Sequence, residues 1–238
     1  MSPRQAEILH AIVDSYVQTA NPVGSLGLSQ EFDYSPATIR AEMATLEHFG
    51  FIGQPHTSAG RIPTDKGYRW YVDHIKQETR AKLQAVKASR QSRAIDSRID
   101  AAGEPAQAVK SAVDTLVEVT NNLAVGTIGN SLYMSGLAHL FAQPEFENQR
   151  RIQEVASLLD NLEPWLREIS PSGRVNVYIG NENPMGKASG CALIISRFAS
   201  PYSDYSYVGV VGPTRQSYPK VMNLVEHVGS RLEEVLNA

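Results

Sequence analysis

Residues 55–64 have the sequence PHTSAGRIPT, and this stretch decides the architecture of the first third of the chain. Its centre consists of small and polar residues, Gly60 permits a tight tip, and Pro55 and Pro63 separate it from its flanks. The segments on either side, 51–54 and 61–62, predict two short β-strands. A hairpin of this form directly after a helix is typical of a winged helix-turn-helix, so we call residues 51–64 the wing.

The chain before residue 35 predicts two helices. Residues 5–19 carry apolar side chains at helical spacing, and Asn21-Pro22 ends the pattern because proline cannot continue a helix. A short second helix is expected over residues 25–31. The apolar stripe that should bury the first helix consists of Ile8, Ile12, Val13 and Tyr16.

A third helix is predicted to begin at Ser35, which serves as its N-cap before Pro36 in the first helical position. The helix should end near Phe49, with Gly50 as the residue that follows the cap. The side chains predicted to pack it on the first helix are Ile39, Met43, Leu46 and Phe49. Thr64 is then expected to cap a fourth helix with the packing stripe Tyr68, Tyr71, Val72 and Ile75.

The exposed side of the third helix is the predicted DNA-reading surface, because the first turns of a recognition helix reach base edges in the major groove. Arg40 is the strongest candidate for a base contact, since its guanidinium can pair with guanine; a surface ion pair is the alternative. Ser35 and Thr38 are short hydroxyl donors suited to phosphate. The predicted DNA-contacting residues are Ser25, Ser35, Ala37, Thr38, Arg40, Ala41, His56, Thr57, Ser58, Arg61, Lys66 and Arg69.

The charge of the chain is unevenly distributed. The formal net charge is −3 overall, −3 for residues 1–75, +5 for residues 76–98 and −5 for residues 99–238. The predicted DNA-binding domain therefore has no basic field, and its binding depends on a few cations that face one way. The basic block at residues 76–98 is either a second phosphate-facing surface or a solvated helical connector.

The length and composition indicate an ordinary globular protein of two domains. No apolar run reaches transmembrane length, and the residues after Met1 do not form a signal peptide, so no membrane partner is expected. The single cysteine, Cys191, lies in an apolar run and is expected to be a buried small hydrophobe. A reducing cytoplasm is the simplest compartment for such a chain.

The second half predicts helices and a small antiparallel sheet. Residues 144–169 indicate one or two helices, with Ile152, Val155, Leu158, Leu159 and Leu162 on the inside. Strands are expected over 175–179, 191–198 and 205–211, and a closing amphipathic helix over 218–236.

The sequence offers no catalytic constellation. The six histidines are scattered without metal-ligand spacing, and no glycine-rich phosphate loop follows a strand, so neither a metal nor a cofactor is expected. No nucleophile–base pair supports a hydrolytic enzyme, and the protein is predicted not to be an enzyme. Asn181, Glu182 and Asn183 either line a small-molecule pocket or satisfy the backbone of a turn.

Many short motifs in the same order resemble the heat-inducible transcription repressor HrcA family. They include Pro22-Val23-Gly24-Ser25, the run from Ser35 to Arg40, the run from Pro55 to Thr64, Leu132-Tyr133, the run from Ile179 to Pro184 and the run from Gly209 to Arg215. The resemblance implies a bacterial repressor of chaperone operons that binds an inverted repeat, the CIRCE element, as a homodimer. It also implies that the chaperonin GroEL keeps the repressor active, and that the C-terminal domain is GAF-like.

This chain departs from the family pattern at two points. Ala41 stands where the family commonly has asparagine, which removes an amide suited to adenine. A domain-sized stretch before Leu132-Tyr133, which includes an inserted dimerising domain, is also largely missing. The predicted fold class is therefore α+β: a winged helix-turn-helix over 1–75, a basic helical linker over 76–125 and a reduced GAF-like domain with a small antiparallel sheet over 126–238. Helices 83–99 and 107–123 are expected to form part of the dimer contact.

Two other classes of function stay open at this point. The first is a winged-helix regulator whose GAF-like domain senses a small-molecule ligand. The second is a shortened relative that has lost DNA binding and acts as an interaction protein.

Overall fold

The computed structural model describes residues 1–56, 59–75, 90–169, 173–183 and 190–238. The chain divides into two compact units. The first unit contains the described residues up to 75 together with Arg215–Ser217, and the second contains the remaining described residues.

Helix α1 (Pro3–Thr19) starts two residues earlier than predicted because Ser2 provides the cap. The Ser2 hydroxyl accepts from the Gln5 backbone N–H at 3.2 Å, and the Gln5 side chain accepts from the Ser2 N–H at 2.9 Å. This reciprocal pair satisfies two otherwise unpaired donors and places Pro3 in the first turn. The buried residues of α1 are Ile8, Leu9, Ile12 and Val13, whereas Tyr16 is only partly buried.

Helix α2 (Ser25–Leu28) is one turn long, shorter than the predicted range 25–31, and α3 (Pro36–His48) follows it. The Ser35 cap and the position of Gly50, with φ of 75°, confirm the predicted ends of α3. Ile39, Met43 and Leu46 are buried, and α3 packs on α1. Phe49 was predicted to join them, and this was wrong: it is the C-cap residue, it is 56% exposed, and its ring lies against His48 at 5.4 Å.

The wing contains two very short strands, β1 (Ile52–Gly53) and β2 (Ile62–Pro63), paired antiparallel. Strand β1 is shorter than the predicted range 51–54. Strand β2 has the predicted length but is shifted by one residue from 61–62, because Arg61 does not belong to the hairpin ladder and instead forms a bridge with Val23. Helix α4 (residues 65–75) follows the wing. The Thr64 hydroxyl accepts from the Gly67 N–H at 3.2 Å, which confirms Thr64 as its cap. The predicted stripe of α4 is buried at Tyr68, Tyr71, Val72 and Ile75.

The described part of the second unit has a five-stranded antiparallel sheet with the strand order β4-β3-β7-β6-β5. The strands are β3 (Leu123–Ile128), β4 (Ser131–Ser135), β5 (Val175–Ile179), β6 (Cys191–Ser200) and β7 (Ser203–Pro213). Strand β5 has its predicted bounds, and β6 and β7 are each longer than predicted. Strands β3 and β4 were not predicted, although a glycine-asparagine pair between two apolar runs is a hairpin signal.

Helices cover both faces of this sheet. Helices α6 (Pro105–Thr120) and α10 (Tyr218–Leu236) pack on strands of one face, and α5 (Arg90–Asp100) packs on both helices. The buried cluster on the other face joins strand residues such as Leu193 to α7 (Leu137–Phe141), α8 (Gln149–Asp160) and α9 (Leu162–Glu168). Each large apolar side chain buried in such layers contributes about 1.5–3 kcal/mol of stability.

The expectation that Ile152 lies inside was wrong. Ile152 lies in the first turn of α8 and is 36% exposed. Phe146, from the short 3-10 turn Pro144–Phe146 that contacts α8, is fully buried in the same cluster. The expected inward side chains Val155, Leu158 and Leu162 are buried, and Leu159 is partly buried.

Residues 90–125 pack within the second unit, although the sequence placed them in a linker. Ile95 and Ile99 are buried, and α5 is tied to α10 by Asp96–His227, at 2.8 Å, and by Asp100–Arg231. The apolar stripes of α5 and α6 are therefore used inside the unit. Residues 83–89 of the predicted helix 83–99 lie outside the described residues, and α6 ends before Leu123.

In the part of the chain that the structure describes, no helix has the length and apolar character needed to cross a membrane.

Cys191 should be chemically inert in the folded protein. Its side chain is fully buried in β6, and burial raises the pKa of its thiol to about 12 because the thiolate is poorly solvated. We expect iodoacetamide at pH 8 to leave the native protein unmodified and to alkylate one site after unfolding in urea. Mass spectrometry measures both states, and stoichiometric labelling of the native protein would contradict the buried position.

Candidate nucleic-acid interface

The outward face of α3 presents one cation among small side chains. Arg40 is exposed, and Ala37, Ala41 and Ala44 around it are exposed as well. Within the described residues, the Arg40 side chain forms no ion pair or hydrogen bond, so the alternative of a surface ion pair is not realised there. A narrow helix face with a free guanidinium suits the approach of a helix to the floor of a major groove.

The start of α3 holds two predicted phosphate donors close together. The Ser35 hydroxyl accepts from the Thr38 N–H at 3.1 Å, and the hydroxyls of Ser35 and Thr38 lie 2.9 Å apart in a shared hydrogen bond. Only one of the two hydroxyl hydrogens is used between them, so the other remains available to an acceptor such as phosphate. Ser25 occupies the first position of α2 and is half-buried.

The three other cations on the predicted list have partners inside the protein. The Arg61 guanidinium lies 2.9 Å from a carboxylate oxygen of Glu47, and Arg69 pairs with Asp73 at 3.5 Å. The Lys66 ammonium donates to the carbonyl of Phe49 at 2.8 Å, where it caps the C-terminal end of α3. The cations that the sequence assigned to phosphate are thus held by the protein in the absence of DNA.

The base of the wing rests directly on the segment before α2. A Cβ atom added at Gly60 would lie 2.5 Å from the carbonyl carbon and oxygen of Val23, so no side chain fits there. The Arg61 and Val23 backbones exchange two hydrogen bonds of 2.9 Å. At the tip, His56 is exposed and its carbonyl accepts from the Ala59 N–H at 3.0 Å. Thr57 and Ser58, also predicted to contact DNA, lie outside the described residues.

Sequence reasoning missed two residues that shape this surface. Glu47 lies in the last turn of α3 and binds the Arg61 side chain, fourteen positions later in the chain. Gly60 was assigned to the tight tip of the hairpin, and its role in the contact with Val23, which its lack of a side chain permits, was not predicted. The sequence contains no local signal for either, because both contacts join segments that are distant in the chain.

The remaining candidate sites do not show reactive chemistry. Among the described residues, no group of histidine, cysteine and carboxylate side chains is arranged to hold a metal ion. The Glu182 carboxylate accepts from the Ile179 N–H at 3.1 Å, and the Asn183 amide donates to the carbonyl of Gly180 at 3.2 Å. These bonds satisfy local backbone, which favours the turn-forming role of this segment over a ligand pocket.

Comparison with known proteins identifies both units. Residues 1–78 match the family described as "Winged helix-turn-helix transcription repressor, HrcA DNA-binding", and residues 68–222 match "HrcA protein C terminal domain". A heat-inducible transcription repressor HrcA from Gloeobacter violaceus is 30% identical, with 100% of this chain and 94% of the relative covered. The corresponding protein of Shouchella clausii is 27% identical, with 99% of this chain and 98% of the relative covered.

A solved structure supports the fold independently. A crystal structure described as that of a hypothetical protein has a TM-score of 0.80 at 19% identity and covers 99% of this chain and 97% of its own.

The comparison also measures how short this chain is. The alignment with the Shouchella clausii protein spans 339 positions against 238 residues here, so at least 101 positions hold no residue of this chain. The expected shortening is therefore confirmed. Because family matches cover both units, and because the alignments with its relatives extend from near one end of those proteins to the other, the chain belongs to the HrcA family of heat-inducible transcription repressors.

Proposed function

We propose that the protein represses chaperone operons by binding double-stranded DNA at an inverted-repeat operator of the CIRCE type. The observation that carries this proposal is the outward face of α3, where Arg40 lies among exposed alanines beside the wing and has no ion-pair or hydrogen-bond partner among the described residues. Helix α3 would enter the major groove, with the wing against the adjacent backbone. Family membership supplies the class of target, and the geometry of α3 supplies the means of reading it.

The charge of the first unit supports a binding mode with few contacts. Residues 1–75 carry a net charge of −3, and Arg61, Lys66 and Arg69 are held by protein partners. Such a unit gains little from a general electrostatic field, so its affinity has to come from well-placed contacts. Two protomers, each placing its first unit on one half of the operator, would double these contacts.

A homodimer is part of the proposal, because an inverted repeat presents the same half-site twice around a two-fold axis. The expectation that helices 83–99 and 107–123 take part stays a prediction. The apolar stripes of α5 and α6 are buried within their own unit, so a contact there would use the polar outer sides of these helices.

We further propose that GroEL favours the active form of the repressor, a proposal that rests on family membership alone. Purified GroEL added to a gel-shift reaction should increase the operator-bound fraction. GroEL loaded beforehand with unfolded protein should not increase it.

A second candidate function is the sensing of a small ligand, favoured by one cavity in the second unit. It has a volume of about 330 Å³, at the low end of the ~300–1,000 Å³ typical of small-molecule sites. Leu132 and Leu166 line it, and Arg167 donates to the carbonyl of Asn130 at 2.9 Å on its rim. A compound that raises the Tm of the wild type but not of Arg167→Ala would support this function.

Arg40→Ala should weaken operator binding by about 1–3 kcal/mol and relax the preference for operator over random DNA, because a base contact is lost. Gel shifts with both duplexes measure the affinities and their ratio. Arg150→Ala, at an 86% exposed side chain of α8, is the matched control and should leave both unchanged. A ratio that stays at the wild-type value in Arg40→Ala would rule out the base contact.

Lys66→Ala should weaken binding to every duplex alike and reduce the slope of log K against log salt by about 1, as expected for one lost phosphate contact. The variant also loses the hydrogen bond to Phe49, so thermal unfolding should show about 0.5–1.5 kcal/mol of lost stability. Lys220→Ala, at an exposed lysine of α10 that also donates to a backbone carbonyl, that of Val119 at 3.3 Å, serves as the control. An unchanged salt slope would show that Lys66 only caps α3.

The stoichiometry of the complex tests the dimer. Light scattering on the full chain, alone and with a CIRCE duplex, should give two copies per duplex. A protein that stays monomeric in solution and binds the duplex as a single copy would contradict the symmetric arrangement.

A further inference from the structure

The Arg61 side chain is anchored on the recognition helix. Its Nε donates to one carboxylate oxygen of Glu47 at 2.9 Å, and its Nη2 lies 2.9 Å from the same oxygen. The two side chains are 24% and 34% exposed, so the pair is partly shielded from water. A charge-assisted contact that uses two nitrogens of one guanidinium fixes direction as well as distance. Glu47 thus connects the last turn of α3 to the base of the wing.

The main chain at the same point is fixed from the other side. The Arg61 N–H donates to the Val23 carbonyl, and the Val23 N–H donates to the Arg61 carbonyl, both at 2.9 Å. Gly60 allows this approach because any side chain there would collide with Val23. Arg61 is therefore held by its backbone on the segment before α2 and by its side chain on α3.

These contacts compete with a role for Arg61 in binding phosphate. The Nη1 group also donates to the carbonyl of Ala59 at 3.4 Å, so all three nitrogens of the guanidinium face acceptors of the protein. A move to a phosphate would leave the Glu47 carboxylate without its partner beside DNA, where like charges repel. The geometry favours an arginine that stays in place when DNA binds.

We propose that Glu47 and Arg61 form a positioning pair that sets the angle of the wing relative to the recognition helix. The pair thereby fixes the distance between the base-reading Arg40 and the wing tip at His56. This inference rests on the proposed DNA-binding function and assigns the pair to operator specificity. Neither residue needs to touch DNA for this role.

The first test measures coupling between the two residues. Operator and random duplexes are titrated across a range of salt with the full-length wild type, Glu47→Gln, Arg61→Gln and the double variant. Each single variant should lose about tenfold in operator affinity, and the double variant should lose no more than either single one, since both remove the same contact. Affinity for the random duplex and its salt slope should stay at the wild-type values in Arg61→Gln.

Glu42→Gln is the matched control for this test. Glu42 lies on α3 as well and pairs with an arginine, Arg4, at 3.3 Å, but it has no contact with the wing among the described residues. Its loss should change operator and random binding alike, so the ratio of the two affinities stays as in the wild type. The opposite pattern overturns the proposal: Arg61→Gln weakens both duplexes and flattens the salt dependence, while Glu47→Gln leaves operator binding unchanged.

The second test needs no DNA and separates this inference from the proposed function. Hydrogen exchange of the full chain should show faster exchange at the Arg61 and Val23 amides in Glu47→Gln, with the Tm unchanged within error. Faster exchange in Glu47→Gln would support the positioning pair even if the wild type does not prefer the operator. A wild type without that preference would contradict the proposed function and leave the positioning pair standing. Wild-type exchange rates at both amides in Glu47→Gln would show that the side-chain pair does not hold the wing.

Discussion

The proposed DNA-reading surface depends on the burial of one stripe of α3 against α1. Ile39, Met43 and Leu46 leave water on this face, and their burial fixes the rotation of the helix about its own axis. Because 3.6 residues make one turn, this rotation places Ala37, Arg40 and Ala41 outward. The cap at Ser35 sets where α3 begins. It therefore places Ala37, Arg40 and Ala41 in the first two turns of the helix.

The rest of the first unit holds the wing in relation to that helix. Two carboxylates of α3 that would repel DNA form ion pairs with arginines: Glu42 pairs with Arg4, and Glu47 pairs with Arg61. Residues 1–75 therefore combine a negative net charge with a helix face on which Arg40 has no partner within the part of the chain that the structure describes. Recognition in such a domain depends on the placement of a few groups, and errors in that placement cost specificity more than general affinity.

Local signals in the sequence were sufficient for both ends of α3, at Ser35 and Gly50, and for the bounds of strand β5. They were insufficient wherever a contact joins distant segments. The ion pair between Arg61 and Glu47 is one example, and the packing of residues 90–125 into the second unit is another. Both depend on tertiary contacts between residues that are too far apart in the chain for a local sequence pattern to indicate. Phe49 shows the same limit: its spacing continues the buried stripe of α3, but spacing does not tell whether another element covers that position, and its side chain is 56% exposed.

Amide chemical shifts of the isotope-labelled full chain, recorded with and without an inverted-repeat duplex, show which helix meets the DNA. We expect the largest changes at Ala37, Arg40 and Ala41 and in the wing. We expect little change on the side of α1 that carries Glu7 and Asp14, which are acidic and face away from the buried stripe of α1. Large changes on that side of α1, with the amides of α3 unmoved, would contradict the assignment of α3 as the reading helix.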